Sequence, residues 1–187
     1  MKGPFSHDLQ RCAHQSANPT GRSTLAMLAE NPGLQALAAY RLGRWLLVSR
    51  KTWSIWPVGW LIYYLMSRYV RIVFDIRLHL SADIGSGLYI GHFGGILLRN
   101  CSVGSSCSIA HLVCITPAAK GDGPVIEDRV WVGAHVHIVG NHRVGAGSTI
   151  GAGGVVTRDV PRGVLCMGNP ARIVQPGYDN RAILGLK

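Results

Sequence analysis

The sequence predicts a mainly β protein: a parallel β-helix of six-residue units preceded by an α-helical cap. Three observations predict it. Aliphatic residues recur every six positions through the second half (Ile84, Ile90, Ile96; Val103, Ile109, Ile115; Ile126, Val132, Ile138, Val144, Ile150 and Val156), a period that fits neither a helix nor an amphipathic strand. Small residues stand two places before many of these aliphatics, among them Ala82, Gly94, Cys101, Cys107 and Ser148, and glycine, 24 of the 187 residues, directly follows several. Upstream, Leu25, Leu28, Ala29, Leu34, Leu37, Ala38, Leu42 and Leu46 recur at three and four around the break Asn31-Pro32-Gly33, which reads as helix.

A period of six suits a coil with three flat faces, in which each unit lays down one short strand and one corner and three units close a turn. The aliphatic points into the prism, the small residue shares the interior, and glycine tolerates the positive φ that tight corners require. The spacing departs from six twice. Ile96 to Val103 is seven, read as a one-residue bulge, and Ile115 to Ile126 is eleven, read as a loop extruded at a corner over 116–125.

This divides the chain into a flexible polar tail (1–23), a helical cap (24–75) that covers the first coil, the β-helix (76–160), and a C-terminal extension (161–187) begun by Pro161 and Pro170. The tail lacks the apolar stretch of a secretory signal, so the expected location is the cytoplasm. The most apolar run, Trp53 to Met66, has 14 residues with Pro57 and Gly59 inside it. It is too short to span a bilayer, but its basic flanks (Arg50, Lys51, Arg68) suit packing as a helix or peripheral contact with the inner face of the membrane.

Composition narrows the function classes. With 48% apolar and 15% charged residues the chain is built to bury a core. Five cysteines without a Cys-x-x-Cys pair indicate core filling rather than a disulfide framework or zinc knuckle. Residues 1 to 77 carry ten Lys/Arg against Asp8, Glu30 and Asp75, a net +7 of the total +10. That excess suits an anionic membrane surface or an acidic sugar phosphate better than nucleic acid.

The hexapeptide repeat, the segment Gly91-His92-Phe93-Gly94-Gly95-Ile96, the looped corner and the ending Gly168-Asn169-Pro170-Ala171-Arg172-Ile173-Val174 together resemble the hexapeptide-repeat acyltransferases over about residues 76 to 175. The resemblance is closest to the serine acetyltransferase branch and its relatives from polysaccharide gene clusters. It implies a left-handed β-helix, an exception to the usual right-handed parallel crossover. It also implies a homotrimer or a dimer of trimers with sites between subunits, and acetyl-CoA as acyl donor.

Carried over by position, His92 falls on the family's catalytic histidine. Ala134 and Ala152 fall on the small residues lining the pantetheine groove; Gly133, Gly151 and Gly153 are backbone neighbours of that groove, and Arg158 and Arg172 are candidates for the cofactor's phosphates. Serine acetyltransferases place an Asp immediately before the catalytic His and a second His in the looped corner. Here Gly91 precedes His92, and residues 116–125 hold no histidine. The amino group of serine thereby loses its carboxylate partner, which favours a saccharide hydroxyl as acceptor, with serine the alternative.

An unperturbed imidazole titrates near neutrality and serves as a general base for deprotonating an alcohol. His92 sits two residues after Ile90 and His111 two after Ile109. That register predicts stacked side chains about 4.8 Å apart, with His111 at the acceptor site or lowering the pKa of His92. An orienting acceptor is expected on the other imidazole nitrogen: Asp75 is the nearest carboxylate, although its offset differs by two from the simple alignment, where Arg77 stands, and a backbone carbonyl is the alternative. His137-x4-His142 is similar to the zinc pair of the γ-class carbonic anhydrases. The repeat, however, points His137 outward and His142 inward, so no metal is expected.

Overall fold

The computed structural model describes residues 3–15, 24–49, 56–91, 94–118 and 122–185. His92 lies outside them, as do Arg50, Lys51 and residues 119–121 of the looped corner. Among the described residues four helices precede the strands: α1 (Pro4–Gln15), α2 (Thr24–Glu30), α3 (Pro32–Val48) and α4 (Trp56–Phe74). Asn31 starts α3, its side-chain oxygen accepting from the Leu34 N–H at 3.0 Å, with Pro32 in the first turn where its missing N–H costs nothing.

Among the described residues fifteen short strands then wind into three sheets. The first holds β1 (Ile76–Leu78), β4 (Ile96–Leu98), β7 (Cys114–Thr116), β10 (His137–Val139) and β13 (Val155–Val156). The second holds β2 (Asp83–Ile84), β5 (Ser102–Val103), β8 (Val125–Ile126) and β11 (Arg143–Val144). The third holds β3 (Tyr89–Ile90), β6 (Ser108–Ile109), β9 (Trp131–Val132), β12 (Thr149–Ile150), β14 (Val164–Met167) and β15 (Arg172–Pro176). Every pairing is parallel except β14 with β15, which is antiparallel. A parallel solenoid of about five coils results.

Each face contributes one inner column. Leu78, Leu98, Ile115, Ile138 and Val156 stack on the first, Ile84, Val103, Ile126, Val144 and Val160 on the second, and Ile90, Ile109, Val132, Ile150 and Cys166 on the third. Apart from the half-buried Leu78, all are buried. At roughly 1.5–3 kcal/mol for each fully buried aliphatic side chain, these columns are the main stabilising term.

The columns correct the register expected around residue 96. Leu98, not Ile96, shares a rung with Ile115. From Gly91 to Leu97 the chain takes six steps, whereas Ala110 to Cys114, Gly133 to His137 and Gly151 to Val155 each take four, as the hydrogen bonds at both ends show. The corner containing His92 therefore holds two residues more than the corners stacked against it. The following corner, Leu98 to Val103, is one shorter than the regular six. The apparent one-residue bulge is the sum of these two irregularities.

The tail and the extension are also more ordered than expected. Residues 4–15 form α1, which docks with Asp8, Arg11 and Cys12 buried. The Asp8 carboxylate accepts from the Gly87 and Leu88 N–H groups at 2.7 and 3.1 Å and pairs with Arg41 at 3.0 Å, while Arg11 donates to the Ser108 hydroxyl at 3.0 Å. Burial pulls the Arg11 pKa below its ordinary value, opposed by the nearby Cys107. In the extension β14 adds the last parallel rung, and α5 (Arg181–Leu184) folds back so that Gln15 donates to the Leu184 carbonyl at 2.8 Å. Helices α2, α3 and α4 cover the first coil, Tyr40 donating to the Ala82 carbonyl at 2.7 Å. Among the described residues no helix is long and apolar enough to cross a membrane.

Candidate active site

One edge of the solenoid repeats a tight corner between the third and first sheets. Its turning residues are Gly95, Leu112, His135 and Gly153, with φ of +64°, +56°, +58° and +71°. Leu112 and His135 hold this left-handed conformation without being glycine, at a cost of about 1–2 kcal/mol each. The residues just before them are linked coil to coil: Leu112 N–H donates to Gly94 O, His135 to His111 O and Gly153 to Ala134 O, at 2.8, 3.0 and 2.7 Å. Gly94, His111, Ala134 and Ala152 thus form one row up the edge.

His111 shares its rung with Gly94, and its ring centroid lies 5.6 Å from that of His135 at 78°. The expected pairing of His92 with His111 lies outside the described residues, since His92 does. His111 is half-buried and His135 exposed. Gly94 has φ +109°, and among the described residues nothing lies within 4 Å of the position a Cβ would take.

Asp75 stands one coil before, its carbonyl accepting from the Ile96 N–H at 3.1 Å. Its exposed carboxylate is bonded to Arg77, at 3.0 Å to Nε and 2.8 Å to Nη2. A carboxylate held by a guanidinium is a weak orienter for an imidazole, which leaves a backbone carbonyl as the better candidate for that role.

Ala134 and Ala152 occupy successive rungs, the first half-buried and the second exposed, as lining residues of a surface groove would be. The glycines beside them divide by cause. A Cβ on Gly133 would stand 2.7 Å from the Ala152 nitrogen, and one on Gly151 would stand 2.6 Å from Met167 Cγ. Close packing of the coils is reason enough for both. Gly153 is exposed with open space around it, and Arg158 and Arg172 are exposed on the same end of the solenoid.

Known proteins resemble this arrangement throughout. No family model matches the chain. It is 34% identical to a serine acetyltransferase of Synechococcus elongatus over 161 residues, 84% of this chain and 63% of the relative. It is 36% identical to that of Escherichia coli K12 over 146 residues, 76% of this chain and 50% of the relative. Among solved structures, soybean serine acetyltransferase complexed with serine superposes with TM-score 0.73 at 31% identity, covering 91% of this chain and 68% of that one. The chain belongs to the serine acetyltransferase family.

The family's Brucella abortus structure in complex with coenzyme A gives TM-score 0.73 at 28% identity, covering 92% of this chain and 68% of that one. The fold is the family's left-handed β-helix with an N-terminal helical part. The chain spans between half and two thirds of the curated relatives' length. The narrower kinship with polysaccharide-cluster enzymes finds no support, because the relatives are serine acetyltransferases.

Against this family background two further features stand out. A recess of about 140 Å³ opens beside Gly91 and Ala110, walled by Gln15, Tyr89, Trp131 and Ile183. It went unseen in the sequence because its walls come from α1, from the last helical residues and from three successive coils, with no shared motif. Burial raises the Tyr89 pKa, with Cys12 adding to the rise. The other histidines separate: His137 is exposed on β10, and His142 packs against Gly140 with its Nδ1 3.9 Å from Asp159. Among the described residues no three ligating side chains cluster around a metal position.

Proposed function

We propose that this protein is an acetyl-CoA-dependent O-acetyltransferase. The observation that carries the reading is the whole-fold likeness, at 31% identity, to a serine acetyltransferase solved with serine, joined by one solved with coenzyme A. His92 acts as general base. It takes the proton of the acceptor hydroxyl as the oxygen attacks the thioester carbonyl carbon. The oxyanion then collapses, the carbon–sulfur bond breaks, and the imidazolium returns its proton to the departing thiolate. The products are an acetyl ester and free coenzyme A. Glycine backbone at Gly94 and Gly95 allows an amide to approach the oxyanion closely.

The donor lies along the row of small residues, its pantetheine arm passing Ala134 and Ala152 and its phosphates meeting Arg158 and Arg172. Replacing Ala134 with Trp is expected to weaken acetyl-CoA binding about 5- to 150-fold, the equivalent of roughly 1–3 kcal/mol of overpacking. Calorimetric titration with acetyl-CoA checks this. Unchanged affinity would remove Ala134 from the groove.

L-serine is the acceptor that the relatives support best, since they are serine acetyltransferases. A saccharide hydroxyl is the second reading, favoured by Gly91, which has no carboxylate to offer an ammonium group. Thiol release from acetyl-CoA, measured with L-serine and with a panel of sugars and sugar phosphates, decides between them. Turnover of serine establishes the first reading, and turnover of sugars alone the second. The absence of both turnover and acetyl-CoA binding would overturn the enzyme class.

We place the working form in the cytoplasm as a homotrimer with sites between copies. The exposed apolar residues of α4, including Val58, Leu61, Leu65 and Ile72, offer a face for another copy or for the inner membrane surface.

A further inference from the structure

Helix α4 is apolar on two faces. On the inner one Gly59 lies against Leu46 and Tyr63 against Gly43 of α3, while Val70 and Phe74 join the core. On the outer one Val58, Leu61, Leu65 and Ile72 are 54%, 57%, 58% and 69% exposed. With the exposed Tyr69 they follow one another at spacings of three and four, which makes one continuous stripe. A contiguous apolar surface of this kind marks a contact rather than a solvated face. Trp56 stands at its start, edge-on to Trp60 with ring centroids 5.8 Å apart, and Trp45 of α3 is exposed as well. Trp and Tyr are the side chains that settle at a membrane–water boundary.

Beside the stripe, between the cap and the first two coils, lies a cleft of about 380 Å³, within the usual range for small-ligand sites. Four exposed arginines line it: Arg68 and Arg71 from α4, Arg77 from β1, and Arg99 just after β4. The parallel pairing of β1 with β4 sets Arg77 and Arg99 on adjacent strands. Among the described residues no carboxylate lines the cleft. Asp75 pairs with Arg77 at 2.8 Å, whereas Arg68, Arg71 and Arg99 make no ion pair among the described residues. Arg68 belongs to both features. It lines the cleft, and it stands three residues after Leu65 and four before Ile72, on the face of the stripe.

Charge decides what covers the stripe. Helices α3 and α4 hold Arg41, Arg44, Arg68 and Arg71 and no acidic residue. Arg41 and Arg44 pair with Asp8 and Asp83, which leaves Arg68 and Arg71 uncompensated beside the stripe. A second copy docked stripe to stripe would bring two such pairs together without a carboxylate between them, and like charges across an interface oppose association. An anionic bilayer suits both features. Its acyl boundary takes the stripe, and its phosphates match guanidinium forks in bidentate fashion. Among the described residues no helix is long and apolar enough to cross a membrane, so such a contact is peripheral, with α4 lying along the surface.

We propose that the cap is a docking surface for an anionic phospholipid bilayer, the stripe of α4 entering the acyl boundary and the cleft at Arg68, Arg71, Arg77 and Arg99 receiving a headgroup phosphate. This chooses the membrane over another copy as the occupant of the α4 face. It is independent of the acetyl-transfer reading and of the acceptor.

The test uses the full chain, co-sedimented with vesicles of phosphatidylglycerol and phosphatidylcholine in equal parts and with vesicles of phosphatidylcholine alone. Binding to the anionic vesicles should be at least about tenfold stronger, and raised salt should weaken it. Arg68→Gln/Arg71→Gln should weaken it about 10- to 30-fold, since each basic residue near an anionic surface contributes about fivefold. Leu65→Gln/Ile72→Gln should abolish it at low and high salt alike. All four positions are exposed, and far-UV circular dichroism shows that each variant keeps its fold. Arg162→Gln, far from the cap, should bind as the parent does. No sedimentation with anionic vesicles, equal binding to both vesicle types, or unchanged binding in both double variants would overturn the proposal.

Two arms exclude other occupants. In sedimentation velocity without lipid, a parent assembly that Leu65→Gln/Ile72→Gln splits, joined to absence of vesicle binding, would make the stripe a contact between copies. Inorganic pyrophosphate should release the protein from vesicles no better than chloride at equal ionic strength; release at stoichiometric pyrophosphate would make the cleft a site for a free phosphate ligand and overturn the docking role. Acetyl-CoA affinity should be the same in parent and variants, so docking and the enzyme reading fail separately.

Discussion

Replacing His92 with alanine is expected to lower kcat for acetyl transfer by about 10²- to 10⁴-fold, the usual contribution of a positioned general base, while acetyl-CoA affinity stays unchanged. The two parts of this expectation have separate physical grounds. The hydroxyl of an alcohol is a poor nucleophile while it keeps its proton, and alanine has no atom to accept it. The proposed donor groove at Ala134 and Ala152 stands at least two rungs from the first corner, so the truncation leaves its lining intact. Nor should the fold suffer, because the inner positions on either side belong to Ile90 and Leu98, both buried. The parent's rate should fall as acid protonates the ring, because the imidazolium cannot accept a proton; the variant should lose that limb. Full activity in His92→Ala would remove the mechanism. A loss of acetyl-CoA binding equal to the loss of rate would make the residue structural instead.

The inner architecture was legible because a solenoid writes its core into the chain. One aliphatic per face repeats along three columns, and nothing but a three-sided coil uses a period of six. What the period could not resolve is the register at β4. Ile96 and Leu98 are both apolar and both buried, since a three-residue strand turns its first and third side chains to the same side. Either could be the repeat residue. A two-residue insertion and a one-residue deletion on either side of β4 then cancel to a single apparent bulge. The consequence falls on the site itself: the corner that carries His92 is the long one.

The ends of the chain were hidden for a different reason. α1 holds its place with Asp8 and Arg11, buried polar groups that leave no hydrophobic period. Arg68, Arg71, Arg77 and Arg99, which line the cleft between the cap and the first two coils, come from three places in the sequence, α4, β1 and the end of β4, and only the fold brings them together. Gly91, by contrast, was legible as a departure from the family. Its meaning for the acceptor, set against relatives that are serine acetyltransferases, is what the acceptor panel decides.

Replacing Asp8 with alanine is expected to destabilise the docked α1 by about 3–5 kcal/mol, the range for removing one partner of a buried ion pair. Asp8 is 1% exposed. Its carboxylate accepts from the Gly87 and Leu88 N–H groups and from Arg41 Nε and Nη2. Arg41 in turn donates to the Ile84 and Gly85 carbonyls, so one carboxylate ties the first helix to α3 and to the second corner of the first coil. Alanine would leave two backbone donors and a largely buried guanidinium without their acceptor, each a desolvation cost that folding no longer offsets. Asp8→Asn should cost less, because the amide oxygen still accepts. Against a typical total stability of about 5–15 kcal/mol, the alanine variant should release α1 before the solenoid melts. Hydrogen exchange would then accelerate over residues 4–15 first, with the inner columns still protected. A change within about 0.5 kcal/mol, the range of ordinary surface substitutions, would mean that apolar contacts, not this carboxylate, seat the helix. Gln15 at the end of α1 walls the recess beside Gly91, so a released α1 also opens that wall.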